Sequence, residues 1–408
     1  MIIQIQYVWL GIVMFFVAFF TVWMAFPSVL RMARVWKVYD NPDARKLQRK
    51  PVPVMGGVAV YIGILIGTAL LLCIGYSKSL ALMLLAMTVL LVVGVIDDRK
   101  NLPASLRFML EIGVVLVMAI VNGSMIDNLH GLWGVYELPK WVACLLSIVA
   151  GVGIINAINL IDGVDGYSSG FAVLACLLFG IIFYKAHVPG MAMVCLIAMG
   201  SVLPFFLHNV FGKKTKMFIG DGGTLMLGTL MTAFVFSILK GGSACTKLEA
   251  SGLGLIPFCL AVLSIPVFDT LRVMFSRILK GSSPFKPDKT HLHHLFIDMG
   301  FSHIGTTAVI LFTDLMVVVA LVIACVLGAS MEVQLYIVVA FGILVTLGFY
   351  AFMQVQKRRN TKFYRGMLRQ GRISHIEKSK FWEWMRKFVD DELFIEGKNE
   401  MVQDDTEV

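Results

Sequence analysis

The chain has 408 residues, of which 58% are hydrophobic and only 15% are charged. A soluble domain carries about 25% charged residues, so an ordinary water-soluble fold is excluded. The net charge of +9 does not indicate nucleic acid. In a membrane protein, basic residues collect beside the anionic inner leaflet instead, so membrane lipids are expected partners and nucleic acid is not.

Eleven apolar runs follow one another along the chain, each close to the roughly 20 residues that cross a bilayer. They lie at about 7–31, 56–75, 79–96, 106–122, 140–158, 167–186, 189–208, 222–239, 253–276, 305–328 and 332–353. The first run is too long for a cleaved signal peptide and has no basic leading segment, so it is expected to remain as a span. The runs predict an all-α polytopic membrane protein with about eleven transmembrane helices.

Lysine and arginine are divided very unequally between alternate loops. The loops after odd-numbered runs and the tail from Lys357 hold 30 of them, whereas the loops after even-numbered runs hold five. Because basic loops stay in the cytoplasm, the N-terminus is expected outside and the C-terminus in the cytoplasm. Residues 1–356 are predicted to form the transmembrane catalytic domain, and residues 357–408 a basic cytoplasmic tail.

Within the tail, residues 378–394 have an amphipathic pattern. Phe381, Trp384, Met385 and Phe388 recur at helical spacing, with basic residues between them. This pattern predicts an interfacial helix that lies on the inner leaflet.

All acid-rich and histidine-rich motifs fall in the odd loops. They are "NPDARKLQRKPVPVMGG" (41–57), "DDRKN" (97–101), "NLIDGVDG" (159–166), "FIGDGG" (218–223) and "KPDKTHLHH" (286–294). The economical interpretation is a single site at the cytoplasmic face, assembled from several loops.

Five aspartates lie in the three middle motifs, 97–101, 159–166 and 218–223: Asp97, Asp98, Asp162, Asp165 and Asp221. Gathered in one site they would repel one another unless a cation were present, and oxygen ligands favour Mg²⁺, with Mn²⁺ as the alternative. Mg²⁺ takes one or two protein carboxylates plus substrate phosphates, so the other acids remain for base chemistry or recognition. Structural alternatives stay open: a solvated helix end at 97–101, a polar turn at 159–166 and a helix N-cap at Asp221.

Two basic groups complete the pattern. His291, His293 and His294 follow two lysines, which suits a pyrophosphate better than zinc, although a solvated loop is the plain alternative. The first loop carries Arg45, Lys46, Arg49 and Lys50, for phosphate or lipid head groups, and positive-inside charge explains them equally well. Gly56–Gly57 then allows close packing where the second span begins. A divalent cation, a diphosphate and a lipid partner together favour phosphoryl transfer from a nucleotide to a lipid.

The motifs "DDRKN", "NAINLIDGVDG" (156–166), "FIGDGGTLMLG" (218–228) and "HLHH" (291–294) resemble, in order and spacing, the polyprenyl-phosphate N-acetylhexosamine-1-phosphate transferases. The resemblance covers about residues 7–353. It implies transfer of a sugar phosphate from a UDP-sugar to undecaprenyl phosphate, with release of UMP, at the cytoplasmic face of the bacterial inner membrane. "HLHH" is more similar to the GlcNAc-1-phosphate branch, with UDP-N-acetylglucosamine as donor, than to the phospho-MurNAc-pentapeptide branch. Gln48 stands where related sequences often carry His, which leaves the sugar open.

The resemblance also implies catalytic and metal-binding roles. Asp97 and Asp98 are the expected catalytic pair, with Asp98 positioning or deprotonating the lipid phosphate, and Asp162 lies in the catalytic pocket. Asp221 is the expected Mg²⁺ ligand, with Asn159 beside it.

The expected substrate-binding residues form a second group. Asp165 would read the edge of uracil and Phe218 would stack on it, and the remaining members bind the diphosphate and sugar: His291, His293, His294 and Arg49. A polytopic transporter is the alternative from another class, but transporters keep their polar residues near the bilayer midplane. The oligomeric state, including a homodimer, is left open.

Overall fold

The computed structural model describes residues 2–42, 48, 50–76, 79–121, 123–284 and 288–391. The α-helices within these ranges are α1 (Ile2–Val35), α2 (Gly56–Cys73), α3 (Ser79–Lys100), α4 (Ala104–Val121), α5 (Lys140–Leu160), α6 (Tyr167–Lys185), α7 (Pro189–Phe211), α8 (Gly220–Leu239), α9 (Leu255–Val262), α10 (Ser264–Leu279), α11 (Leu292–Asp298), α12 (His303–Val326), α13 (Met331–Ile343), α14 (Tyr350–Arg358), α15 (Lys362–Ile373) and α16 (Lys380–Asp391). The strands β1 (Tyr39–Asp40) and β2 (Val52–Pro53) form a short antiparallel pair in which Tyr39 faces Pro53.

Ten helices in the described ranges are long and apolar enough to cross a membrane. An eleventh span is counted if the sharply bent pair Ala244–Ser251 and Leu255–Val262 is taken as one. The predicted polytopic helical fold is confirmed at this level. The side that each terminus faces stays a prediction from loop charge.

The predicted ninth span, 253–276, is not one continuous helix. It is divided into α9 and α10 at Leu263, which has φ −102° and ψ 10°. Pro266 has no N–H to donate to the preceding turn, so the helix is interrupted there. The buried Asp314 of α12 accepts hydrogen bonds from Ser264 Oγ at 2.9 Å and from the backbone N of Ile265 at 3.1 Å. An acid within a span thus stabilises the start of α10, a role that the sequence did not indicate.

The central helix is α8. Its apolar window is 94% buried, against 22% for α1, so α8 lies in the protein interior and α1 faces outward. It packs against α3, α5 and α2. The start of α8 carries the "GDGG" motif, so the core of the bundle also places part of the candidate site.

Glycines let two neighbours approach the start of α8 backbone to backbone. A Cβ on Gly57 of α2 would overlap the backbone of Gly223, and a Cβ on Gly94 of α3 would overlap the backbone of Gly222. Small residues allow this approach between membrane helices. The predicted close packing at Gly56–Gly57 is therefore confirmed, and the end of α3 lies beside the start of α8.

The predicted tail helix is present as α16, which ends at Asp391 in the described range. Its Phe381, Trp384 and Phe388 are exposed, as an interfacial helix requires. Contact with the bilayer stays a prediction, and the residues after 391 lie outside the described part.

We expect Gly94→Ala to destabilise the protein, because overpacking at a helix contact costs about 1–3 kcal/mol. Gly113→Ala on α4 is the matched control, since a Cβ there meets no atom within 4 Å. Thermal unfolding in detergent should show a lowered midpoint for Gly94→Ala alone. Equal midpoints for the two variants would contradict the close approach of α3 and α8.

Candidate active site

A cavity of about 840 Å³ opens where the odd loops meet. Its wall includes residues from each of the five motifs, among them Lys50, Asp97, Asp162, Asp221 and His294. The structure thus brings the motif loops to one site, as the sequence analysis predicts. Four basic residues of the predicted set lie outside the described residues: Arg45, Lys46, Arg49 and Lys286.

Two carboxylates share one guanidinium group in this cavity. Arg107 Nη1 of α4 lies 3.0 Å from Asp97 Oδ2 and 3.4 Å from Asp221 Oδ2. Behind it, Arg107 Nε lies 3.5 Å from Oε1 of the buried Glu111, whose other oxygen accepts a hydrogen bond from Asn156 Nδ2. Arg107 and Glu111 are not among the site residues predicted from the sequence. The available signal was an acid inside an apolar run, which marks a functional-site candidate by default.

Asp98 binds the N-terminus of α8. Its Oδ1 accepts the backbone N–H of Asp221 at 3.0 Å, and its Oδ2 accepts that of Gly222 at 3.4 Å. Gly220 has a φ of 76°, and a Cβ there would lie 2.5 Å from Asp98 Oδ2, so this position requires glycine. The alternative of Asp221 as the N-cap is wrong, because Asp221 lies in the first turn and Asp98 supplies the carboxylate.

Asn159 lies beside Asp221. Its Nδ2 donates to Asp221 Oδ1 at 2.9 Å and to Thr224 Oγ1 at 2.8 Å. Among the described residues, no three or more Asp, Glu, His or Cys side chains are grouped to hold a metal by themselves. Mg²⁺ needs only one or two carboxylates beside phosphate and water, and Asp97 and Asp221 already converge on one cationic nitrogen. The donor set therefore fits a Mg²⁺ ion that takes most of its ligands from a substrate.

Asp162 lies at the wall of the cavity, where Ser168 Oγ donates to its Oδ1 at 2.6 Å. The side chain is accessible from the cavity but is surrounded by protein on its other sides. Burial raises the pKa of Asp162 to about 7; the Ser168 hydrogen bond opposes this and the charge of Asp221 adds to it. A carboxyl with this pKa is suited to take up or release a proton near neutral pH.

Asp165 forms one corner of the cavity with two basic partners. Its Oδ2 lies 2.6 Å from Lys216 Nζ and 2.9 Å from His303 Nδ1. Burial alone would raise the pKa of Asp165, but hydrogen bonds and charge from His303 and Lys216 outweigh it, so the pKa is lowered. Asp165 is therefore a carboxylate acceptor at neutral pH. Lys216 Nζ also lies 5.8 Å from the ring centroid of Phe218, which joins the predicted pair Asp165 and Phe218 in one corner.

Neither basic partner of Asp165 was predicted. Lys216 was counted only as loop charge, and His303 was a lone histidine at the start of α12. Lys216 is 51 residues and His303 is 138 residues from Asp165 along the chain, so only folding brings them together. No local pattern marks such a pairing.

The histidine motif is divided by depth. His294 lines the cavity, whereas His291 lies behind it, with Nδ1 2.9 Å from Oδ2 of the buried Asp269. Asp269 also accepts a hydrogen bond from Arg272 at 2.6 Å. It thus anchors the motif, and the sequence analysis did not single it out.

His293 packs between the other two rings, with centroids 5.7 Å from His291 and 4.4 Å from His294. A Cβ on Gly163 would overlap its Nε2, so the "DGVDG" turn rests directly on this ring. Burial lowers the pKa of His293 well below its ordinary value and also lowers that of His294. At neutral pH these rings therefore offer hydrogen bonds rather than positive charge.

The first loop closes one side of the cavity. Phe218 N donates to Pro53 O at 2.9 Å, and Gly56 N donates to Phe218 O at 2.9 Å, which ties β2 to the "FIGDGG" loop. Gln48 Nε2 donates to Asp40 Oδ2 at 2.5 Å, and both side chains line the cavity. Gln48 therefore belongs to the site wall although it is not a histidine.

We expect Asp162→Asn to stabilise the protein more at pH 8 than at pH 5.5. The pKa is about 7 in the folded state and about 3.9 when unfolded, so folding favours the protonated form and stability is lost as pH rises between these values. Asn removes the charge that the surrounding protein disfavours and keeps an acceptor for Ser168. Thermal midpoints of both proteins at the two pH values test this, and a difference that is independent of pH would contradict it.

The chain is similar to known proteins over the region that carries these motifs. Residues 80–239, from α3 to the end of α8, match the sequence model described as glycosyl transferase family 4. A Bacillus subtilis protein named "Probable undecaprenyl-phosphate N-acetylglucosaminyl 1-phosphate transferase" is 31% identical over 294 residues, which cover 72% of this chain and 78% of the relative.

Two further relatives carry the name "Undecaprenyl-phosphate alpha-N-acetylglucosaminyl 1-phosphate transferase". The Escherichia coli protein is 26% identical over 275 residues, covering 67% of this chain and 72% of the relative. The Yersinia pestis protein is 27% identical over 286 residues, covering 68% and 75%. The chain therefore belongs to glycosyl transferase family 4, the polyprenyl-phosphate N-acetylhexosamine-1-phosphate transferases that its four motifs resemble.

Proposed function

We propose that the protein transfers GlcNAc-1-phosphate from UDP-N-acetylglucosamine to undecaprenyl phosphate and releases UMP. The reaction would be the first lipid-linked step of a cell-surface glycan. The observation that carries the proposal is one cavity in which the corner formed by Asp165, Lys216 and Phe218 adjoins the paired carboxylates of Asp97 and Asp221. The names of the relatives agree with it.

The corner around Asp165 suits the uracil of the donor. An ionised carboxylate is an acceptor only, so Asp165 can accept the ring N–H of uracil. The flat ring of Phe218 lies beside it for stacking, and Lys216 adds positive charge near the first phosphate. The proposed tasks of Asp165 and Phe218 therefore have a common geometry.

The paired carboxylates suit the diphosphate. When bound at Asp221, with Asp97 and Asn159 beside it, Mg²⁺ or Mn²⁺ would supply charge neutralisation at the phosphates. Arg107 orients both carboxylates from the α4 side. His294 and Lys50 line the cavity and are proposed to bind the diphosphate and sugar. Arg49, which has the same proposed role, lies outside the described residues.

The acceptor phosphate would enter beside Asp98. Asp98 is fixed by the N–H groups at the start of α8, so it can position or deprotonate the lipid phosphate at a defined place. An oxygen of that phosphate attacks the phosphorus attached to the sugar, the bond to UMP breaks, and UMP leaves with the electron pair. Asp162, with its pKa of about 7, is available for proton transfer.

The site would face the cytoplasm of a bacterial inner membrane. The loop charges support this side for the odd loops, and hence for the cavity, with the N-terminus outside. A nucleotide donor is made in the cytoplasm and a polyprenyl acceptor lies in the leaflet, so a cavity at this boundary reaches both.

The direct test supplies purified protein with undecaprenyl phosphate, Mg²⁺ and separate UDP-sugars, and follows UMP release. We expect turnover with UDP-N-acetylglucosamine. Turnover only with UDP-GalNAc or UDP-MurNAc-pentapeptide would change the proposed sugar, and absence of UMP with every UDP-N-acetylhexosamine would overturn the reaction.

Asp221→Ala should lower turnover by about 100-fold or more, the cost of losing one electrostatic group at a reacting centre. Its elution in size-exclusion chromatography should match that of the native protein. Glu137→Ala is the matched control, because Glu137 is an exposed acid in an even loop outside the cavity wall. Full activity of Asp221→Ala would remove Asp221 from the proposed metal site.

A further inference from the structure

The C-terminal helix α16 packs directly on the membrane domain. The buried Trp382 lies against Phe211 at the end of α7, with ring centroids 4.5 Å apart. Phe388 lies 5.5 Å from Trp23 of α1. This helix is outside the segment that matches the family model, yet it touches α1 and α7, and α7 contributes Phe205 and Asn209 to the cavity wall.

Asp390 of α16 accepts hydrogen bonds from the turn that follows α7. The backbone N atoms of Lys213, Lys214 and Thr215 lie 3.1 to 3.3 Å from its carboxylate oxygens, and Thr215 Oγ1 lies 2.9 Å from Oδ1. Three successive N–H groups that converge on one anion form a backbone nest. Asp390 is only 8% exposed, so these donors take the place of water at its carboxylate oxygens.

The same turn leads into the active-site cavity. His208 Nδ1 lies 3.1 Å from Thr215 Oγ1, and Asn209 Nδ2 donates to Met217 O at 3.0 Å. Lys216 lies between these two fixed points. Its Nζ is therefore presented to Asp165 Oδ2 at 2.6 Å by a backbone that α7 and α16 hold from both sides.

We propose that Asp390 is a positioning residue for donor binding: it holds the 212–217 turn so that Lys216 stays paired with Asp165 in the cavity. The inference rests on the proposed function, because it assigns this corner to the nucleotide. The last amide that Asp390 binds belongs to Thr215, the residue immediately before Lys216. Loss of the carboxylate leaves three N–H groups without their acceptor, and the turn relaxes.

The tail therefore contributes to the affinity of the site without touching the substrate. A role confined to anchoring the tail would change the stability of the protein and leave the corner unaltered. If Asp390 has a positioning role, its loss changes the KM for the nucleotide donor and the amide-exchange protection of the turn. The KM for the lipid acceptor stays unchanged.

The test compares full-length Asp390→Ala and Asp390→Asn with Glu383→Gln, which changes an exposed carboxylate on the same helix. We expect Asp390→Ala to raise the KM for UDP-N-acetylglucosamine about tenfold, with a smaller rise for Asp390→Asn. The KM for undecaprenyl phosphate and the kcat should stay within about twofold, and Glu383→Gln should behave as the native protein.

Hydrogen–deuterium exchange provides a readout that needs no activity. Peptides that cover residues 212–218 should lose protection in both Asp390 variants and keep it in Glu383→Gln. Two results would overturn the positioning role. One is unchanged amide-exchange protection of residues 212–218 together with an unchanged KM for the donor. The other is a loss of kcat while both KM values stay unchanged. If the native protein released no UMP, the proposed function would fail, while the exchange data would still decide whether Asp390 holds the turn.

Discussion

The contact between α3 and the start of α8 supports the rest of the site. Glycines at 94 and 222 let the two backbones meet, and Asp98 then accepts the first free N–H groups of α8. These N–H groups have no partner within the helix, so a carboxylate from a neighbour satisfies them and favours the positive end of the helix dipole. The acids of two motifs are brought together by this one approach.

Charge compensation explains how so many acids share a small volume. Several of these carboxylates have a cation beside them: Arg107 for Asp97 and Asp221, Lys216 for Asp165, and Arg272 for Asp269. A buried charge without a partner would cost several kcal/mol, so these pairs hold the loops in place as well as the charges. Asp162 differs: Ser168 donates to it at the cavity wall, but burial raises its pKa to about 7.

Local sequence patterns and tertiary packing determine different features of this protein. The spans and the clustering of the motifs follow from apolar length and loop charge. The pairing of Asn159 with Asp221, which are 62 residues apart, was expected only from the family resemblance. The partners of the acids did not follow, because Arg107 and Arg272 sit in apolar runs and His303 stands alone in the sequence. Nothing in their immediate sequence distinguishes them from an ordinary helix end or a satisfied core residue.

The division within the histidine motif has the same cause. Three histidines within four residues look equivalent in the sequence, but one helical turn directs them to different depths, so that only His294 lines the cavity. The break at Leu263 has a comparable cause. The apolar run 253–276 looks continuous, but Pro266 within it and Asp314 on α12 together favour a new helix start after Leu263.

The sequence by itself determined that the chain is a polytopic membrane protein, which family it belongs to, and which loops carry the polar motifs. Those properties depend on composition and on motifs that are local. Only the tertiary structure decided which cation neutralises which acid, which histidine reaches the cavity, and that a helix in the tail binds the turn before Lys216. Those pairings join residues up to 177 positions apart, and the packing of the helices alone brings them within hydrogen-bond distance.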